Sequence, residues 1–513
     1  MGDEGVSSLG FGLGKCINLS DLTLELSENQ IGAIGASGLC SGLGKCSNLQ
    51  NLTLQLQRNQ IGEEGVSDLC FGLGQCTNLQ NLALHLESNK IGPKGASFLG
   101  SGLGKCANLS KLTLYLYNNN IGNEGSAGLG TGLGNSSNLS SLILKMKDNN
   151  IGAIGISSLG YGLGKCNKLS YFELSLEGNI ICATGASGIG SGLAKCTTLS
   201  NLILYLRSSN IGGNSVSGLG SGLANCTNLS NLTIYFESNQ IGDEGLSYLG
   251  YGLGKCTNLT NLTLYLEANN IGGDAGFGSG LANCTNLSNL TLCMSCVSSL
   301  GSGLGKCTKL SNLTLHLDNN KISATGGSSL GSGLRKCANL SNLTLYLDNN
   351  KIGQTGASGL GSCLGKCTHL SNLTLHLHNN KIGDEGVSGL GSGLGKCTNL
   401  QNLTLKLSKN QIDANGTSGL CSGLGKCTNL SNLTLHLKGN NIGAAGKFGL
   451  CSGLGKCTKL SNLALYLYYL HQFLLIGIKK TIKLNNQYQS VSNQKDQLNF
   501  QQVFVGDKNV AKN

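Results

Sequence analysis

The chain has 513 residues, with 36 Lys and Arg against 25 Asp and Glu, a formal charge of +11, 80 Gly, one Pro, 23 Cys and no Trp. The glycines follow no three-residue period, which excludes a collagen-like chain, and a leucine supply sufficient for a core excludes a disordered one. No apolar run reaches the length of a membrane span, since the longest candidate, Phe473 to Ile478, is six residues with a glycine inside.

The opening residues, MGDEGVSSLG, have no basic start, apolar stretch or cleavage site of a secretory signal. Val6 stands where a myristoylation signal needs Ser or Thr. This opening is a near copy of Ile382 to Gly391, so the chain begins inside a repeat without a capping unit, as a fragment or an incomplete gene model would. A soluble, cytoplasmic protein is expected.

From there a 30-residue period runs down the chain. Cys16, Cys46, Cys76 and Cys106 mark it, as do Cys166, Cys196, Cys226 and Cys256, and again Cys307 through Cys457. A period of this size means stacked coils, each touching only its neighbours. In the coil containing Leu400, the alternation from Leu403 to Leu407 has strand period. Asn410 then ends the strand, where its amide can satisfy backbone groups in the turn and in the next coil. Val387, Leu390, Leu394 and Cys397 fall on one helical face, with Gly389, Gly391, Gly393 and Gly395 between them. Four such glycines cost about 3–4 kcal/mol in helix propensity. The segment is therefore either a helix whose small residues let coils approach closely, or partly irregular or 3₁₀.

Two coils break register, Cys256 to Cys284 spanning 28 residues and Cys284 to Cys307 only 23. The expected organisation is a solenoid of about sixteen coils over residues 1–468 with a break near 271–300. Residues 469–513 would then be a segment covering the last coil and an Asn/Gln/Lys-rich disordered tail.

Charge follows the same period. Twelve lysines precede the Cys column, and acidic pairs such as Glu63-Glu64, Asp243-Glu244 and Asp384-Glu385 recur about twelve residues earlier. Acids at the positive end of a helix and lysines at its negative end account for the basic charge without a nucleic-acid surface. No aromatic-rich basic module accompanies it.

Leu400, Leu403 and Leu405, then Asn410, with the Ile382-Gly383 turn and the Gly386, Leu390 and Leu394 spacing, resemble the ribonuclease-inhibitor-like class of leucine-rich repeats. The resemblance implies an α/β leucine-rich-repeat solenoid, a curved parallel sheet on the concave side and helices on the convex side. An extra Leu-x pair in each strand segment departs from that class.

Enzyme signatures fail on inspection. Around Gly395-Lys396, Leu390 and Cys397 occupy the places where a phosphate loop needs Gly and a hydroxyl. The Cys column faces its own copies and reads as a row of small buried hydrophobes, and the lone Cys293-x-x-Cys296 is weak for zinc. No catalytic residue, metal or cofactor is expected.

The non-repeating chemistry lies between the last two strand leucines, where ten of sixteen coils carry Tyr or His. Tyr115, Tyr205, Tyr235, Tyr265, His316, Tyr346, His376 and His436 are the candidate partner-binding residues, with the run Tyr205, Tyr235, Tyr265 foremost. Amphipathic aromatics in a ladder suit protein binding, and the histidines would make it pH-sensitive. The plain alternative is that Tyr simply favours exposed strands.

A non-enzymatic scaffold binding a protein partner on the concave sheet is the expected function. Two alternatives stand beside it. One is regulation of a small GTPase, because the repeat class resembles the solenoid of Ran GTPase activators, although Arg58, Arg207 and Arg335 are the only arginines. The other is the sensor fragment of a larger kinase or nucleotide-binding receptor.

Overall fold

The structure, a computed structural model, describes residues 2–273, 276–295 and 299–467. The expected tail 469–513, Cys296 and the apolar stretch at Phe473 lie outside the described residues. The chain groups into two compact units divided between Ile271 and Gly272.

In the first unit the strands are β1 (Asp21–Glu25), β2 (Asn51–Gln55), β3 (Asn81–His85), β4 (Lys111–Tyr115), β5 (Ser141–Lys145), β6 (Tyr171–Ser175), β7 (Asn201–Tyr205), β8 (Asn231–Tyr235) and β9 (Asn261–Tyr265). Each pairs in parallel with the next at a shift of one period, as in Leu202↔Leu232 and Leu232↔Leu262. The second unit holds β10 (Asn289–Cys293), β11 (Asn312–His316), β12 (Asn342–Tyr346), β13 (Asn372–His376), β14 (Asn402–Lys406), β15 (Asn432–His436) and β16 (Asn462–Tyr466), again parallel and in chain order. Helices separate the strands, and among the described residues none is long and apolar enough to cross a membrane.

The strand leucines face inward. Leu403, Leu405 and Leu407 are buried, as are Val387, Leu390 and Leu394 of the helix Gly383–Leu394. That segment is a regular α-helix, with Asp384 and Glu385 in its first turn. Close approach explains its glycines. A Cβ on Gly393 would overlap the Gly361 carbonyl of the preceding coil, and one on Gly132 would overlap Gly100. Helix backbones thus pack against one another with no side chain between them, which offsets the lost propensity.

One expectation is corrected here. The helix ends at Leu394, so Cys397 lies in the turn beyond it and not on the helical face. From that turn its Sγ–H donates to the Leu364 carbonyl of the preceding coil at 3.3 Å. The same bond runs from Cys226 to Leu193, from Cys256 to Leu223 and from Cys427 to Leu394. Every column cysteine except Cys16 is buried, and all described cysteines are free thiols. Burial pushes the Cys397 thiol up to about 11 and that of Cys427 to about 12. The column residue is therefore a neutral donor that ties one coil to the next.

Asn410 sits between Lys409 and Gln411, both in the left-handed region at φ 54 and 59. Its Nδ2 donates to the Leu377 carbonyl at 2.7 Å, and its Oδ1 accepts from the Asn380 N–H at 2.8 Å. Each such asparagine holds the turn of the preceding coil in a shape the backbone alone does not favour.

The two shortened coils lose helix and turn, not strand. Their helices, Phe277–Leu281 and Leu300–Leu304, have five residues where the others have 11 to 14. Nevertheless β10 and β11 pair in full, Asn289↔Asn312 through Cys293↔His316. Cys307 still reaches the Leu281 carbonyl at 3.5 Å, and Asn320 donates to the Met294 carbonyl at 2.8 Å.

Candidate functional site

Alternation places the first, third and fifth residues of each strand on the outer face of the sheet. In β8 these are Asn231, Thr233 and Tyr235, half-buried between fully buried Leu232 and Ile234. Since the strands pair in register, equivalent residues form rows across the sheet.

The fifth-position row carries the expected aromatics. Tyr205 stacks on Tyr235 with ring centroids 4.6 Å apart, and Tyr235 on Tyr265 at 4.7 Å, both nearly parallel. These three tyrosines form one continuous stack. Tyr115 is not part of it; Lys145 and Ser175 intervene, and Tyr115 stacks on His85 at 4.5 Å. In the second unit His316 stacks on Tyr346 at 4.4 Å, and His376 meets Tyr346 edge-on. His436 stacks on Tyr466 at 4.0 Å, with Lys406 between it and His376.

Burial and then the neighbouring Lys406 push His376 down to about 4, and the same two influences lower His436. Both imidazoles are therefore neutral near physiological pH. Their proton uptake is moved below the ordinary histidine range.

The outer face also holds a cluster that the tyrosine row alone does not reveal. Glu173, at the centre of β6, pairs with the Lys145 ammonium and accepts a 2.9 Å hydrogen bond from the Tyr171 hydroxyl. Lys145 is 8% exposed, and its Nζ lies 3.8 Å from the Tyr205 ring centroid, across the small side chain of Ser175. Burial, with Glu173 next, pushes the Tyr205 hydroxyl up to about 12. The signal that finds this cluster is a departure from the repeat. Most strands open with Asn and carry Thr at their centre, whereas β4 to β7 bring Lys111, Ser141 and Tyr171, and Ile143, Glu173 and Ile203.

Two residues beyond each strand end runs a further row. In the first unit it includes Glu177, Arg207, Glu237 and Glu267; in the second, Asp318 and Asp348. Asp318 accepts from the Asp348 N–H at 2.6 Å, and Asp348 from the His378 N–H at 2.7 Å, so these carboxylates serve neighbouring coils. Glu237 differs. Its Oε2 is buried and has no partner among the described residues.

Among the described residues no group of His, Cys, Asp and Glu is placed to hold a metal ion. The outer face of the sheet carries stacked rings and paired charges.

The family model for the leucine-rich repeat matches residues 19–40, 48–70, 75–100, 228–250, 309–331 and 369–391. The chain carries leucine-rich repeats. A solved leucine-rich-repeat protein of Leptospira interrogans is similar in fold, with a TM-score of 0.55 at 20% sequence identity over 86% of this chain and 90% of that one. No curated protein matches the sequence. In this leucine-rich-repeat chain the matched segments fall in both units, and each runs from the strand region toward or into the following helix.

Proposed function

We propose that the protein is a non-enzymatic scaffold that binds a protein partner on the outer face of the first unit's sheet. The observation that carries this reading is the stack of Tyr205, Tyr235 and Tyr265 on three adjacent strands. Rigid, half-exposed aromatics give large contact area at low entropic cost and often dominate interfaces. Beside them, the Lys145–Glu173 pair fixes the first ring from behind, so the surface is ordered before a partner arrives.

A photo-crosslinking residue placed at position 235 should capture a partner that the same residue at Tyr251, exposed on the helix side, does not. The Y205S/Y235S/Y265S variant should bind the captured partner at least about 100-fold more weakly while keeping the circular dichroism of the parent, in line with the loss of several aromatic anchors. Unchanged affinity in a folded variant would move the interface off this face.

A further inference from the structure

We propose that the partner presents a basic segment, whose Arg or Lys side chains pair with Glu237 and Glu267 while their apolar stems lie along Tyr235 and Tyr265. The proposal rests on the sheet-face reading above and adds the chemistry of what that face takes.

The first argument is charge. Past the tyrosine stack the first unit sets three carboxylates, Glu177, Glu237 and Glu267, around one guanidinium, Arg207. Lys145 adds no free positive charge, because Glu173 neutralises it. Glu237 and Glu267 follow adjacent strands, so their backbones lie about 4.8 Å apart and like charges face each other. Lys147 stands in the same row beside Glu177, where it also meets Asp148, so the excess of acid falls at Glu237 and Glu267; Lys195 and Lys255 follow helices and sit over Tyr161 and Tyr251 there.

The second argument is the orphaned oxygen. A buried carboxylate oxygen without a donor is costly, and the cost is recovered when a cation arrives. Glu237 Oε2 is such an oxygen. Burial holds this carboxyl above its ordinary range, against its own backbone N–H and Arg207, with Glu267 and Glu177 adding to the burial. In the second unit the equivalent Asp318 and Asp348 accept N–H groups of the next coil and are thereby engaged between coils.

The third argument is shape. A guanidinium or ammonium head on a long apolar stem matches a carboxylate two residues beyond an aromatic ring, because the stem covers the ring while the head reaches the acid. Lys145 already makes this arrangement within the chain, with its ammonium over Tyr205 and paired to Glu173.

The test uses a fluorescein-labelled peptide of alternating Arg and Ser, with a Glu-Ser peptide as control, and reads anisotropy at low and physiological salt. The Arg-Ser peptide should bind, weaken with salt, and lose at least 10-fold in affinity to the E237Q/E267Q variant. Removing two exposed acids on the helix Gly242–Leu253, as D243N/E244Q, should leave binding unchanged. Equal binding by E237Q/E267Q, or an equal loss in D243N/E244Q, would overturn the proposal. If the Y205S/Y235S/Y265S variant loses the crosslinked partner while E237Q/E267Q keeps it, the basic segment is wrong and the sheet face stands. If neither variant affects that partner, the sheet-face reading falls as well.

Discussion

The two units share one inner construction and differ on the outer face of their sheets. In the second unit the first strand residue is Asn in every strand from Asn289 to Asn462, and each amide donates to the one before, as Asn342 does to Asn312 at 2.5 Å. In the first unit this ladder stops at Asn81, whose Oδ1 is buried without a partner because Lys111 follows where an Asn would donate. It resumes only at Asn201. Where the ladder is whole, its amides satisfy one another. Where it is broken, Lys111, Ser141 and Tyr171 stand in the row, and Tyr171 donates to Glu173, which pairs with Lys145; the tyrosine stack begins on the next strand, where the ladder has resumed.

Breaking the Lys145–Glu173 pair should have the largest effect. Glu173→Ala leaves a nearly buried ammonium with only the Tyr205 ring beside it, and should destabilise the first unit by roughly 3 kcal/mol. Changing both residues to what other strands carry, K145Y/E173T, should restore most of that loss and extend the aromatic row. Denaturant midpoints of the two variants decide the matter. A double variant as unstable as the single would mean that the pair is needed for folding rather than added to a repeat that folds without it.

The shared inner construction can be tested by glycine substitution. Gly132→Ala in the first unit and Gly393→Ala in the second both drive a methyl into the backbone of the preceding coil. Each should cost about 1–3 kcal/mol, even though alanine is the better helix former by about 1 kcal/mol. At Gly12, in the first helix, a methyl would meet nothing within 4 Å, so Gly12→Ala should be neutral or slightly stabilising. Equal midpoints for all three variants would show that the coils can separate at no cost.

Much of this architecture was legible because a 30-residue period converts directly into register: residues one period apart pair, and the Leu-x-Leu alternation fixes which face they take. The glycine spacing pointed to close helix approach for the same reason. The end of the helix was less visible. Cys397 continues the apolar spacing of Leu390 and Leu394, and only the backbone shows that it has left the helix to donate to Leu364. The candidate site was legible as a row but not as a cluster. Tyr205, Tyr235 and Tyr265 follow from periodicity, whereas the reach of Lys145 across Ser175 to Glu173 and Tyr205 depends on side-chain direction, which spacing does not give.

The smallest predicted effect concerns pH in the second unit. His376 faces Tyr346 on one side and Lys406 on the other, with Asp318, His316 and His436 as the further charged or titratable neighbours. Its pKa falls from 6.5 to about 4 on folding, burial being the larger cause and Lys406 the next. Above 6.5 the imidazole is neutral in both states, and its neutral burial is stabilising in full. As pH falls from 6.5 toward 4 the unfolded chain takes up a proton that the folded chain refuses, so stability is lost across that window and levels off below it. The half-exposed position and the nearby Asp318 keep the loss modest. His376→Tyr, which copies the residue of β12, removes the group and should flatten this acid limb while leaving the midpoint near pH 7.5 little changed. Thermal midpoints of parent and variant, close together at pH 7.5, should diverge as pH falls toward 4, with the parent dropping below the variant; parallel curves would show that the imidazole takes up its proton equally in the folded and unfolded chain and that its burial on the sheet face is not what sets its charge.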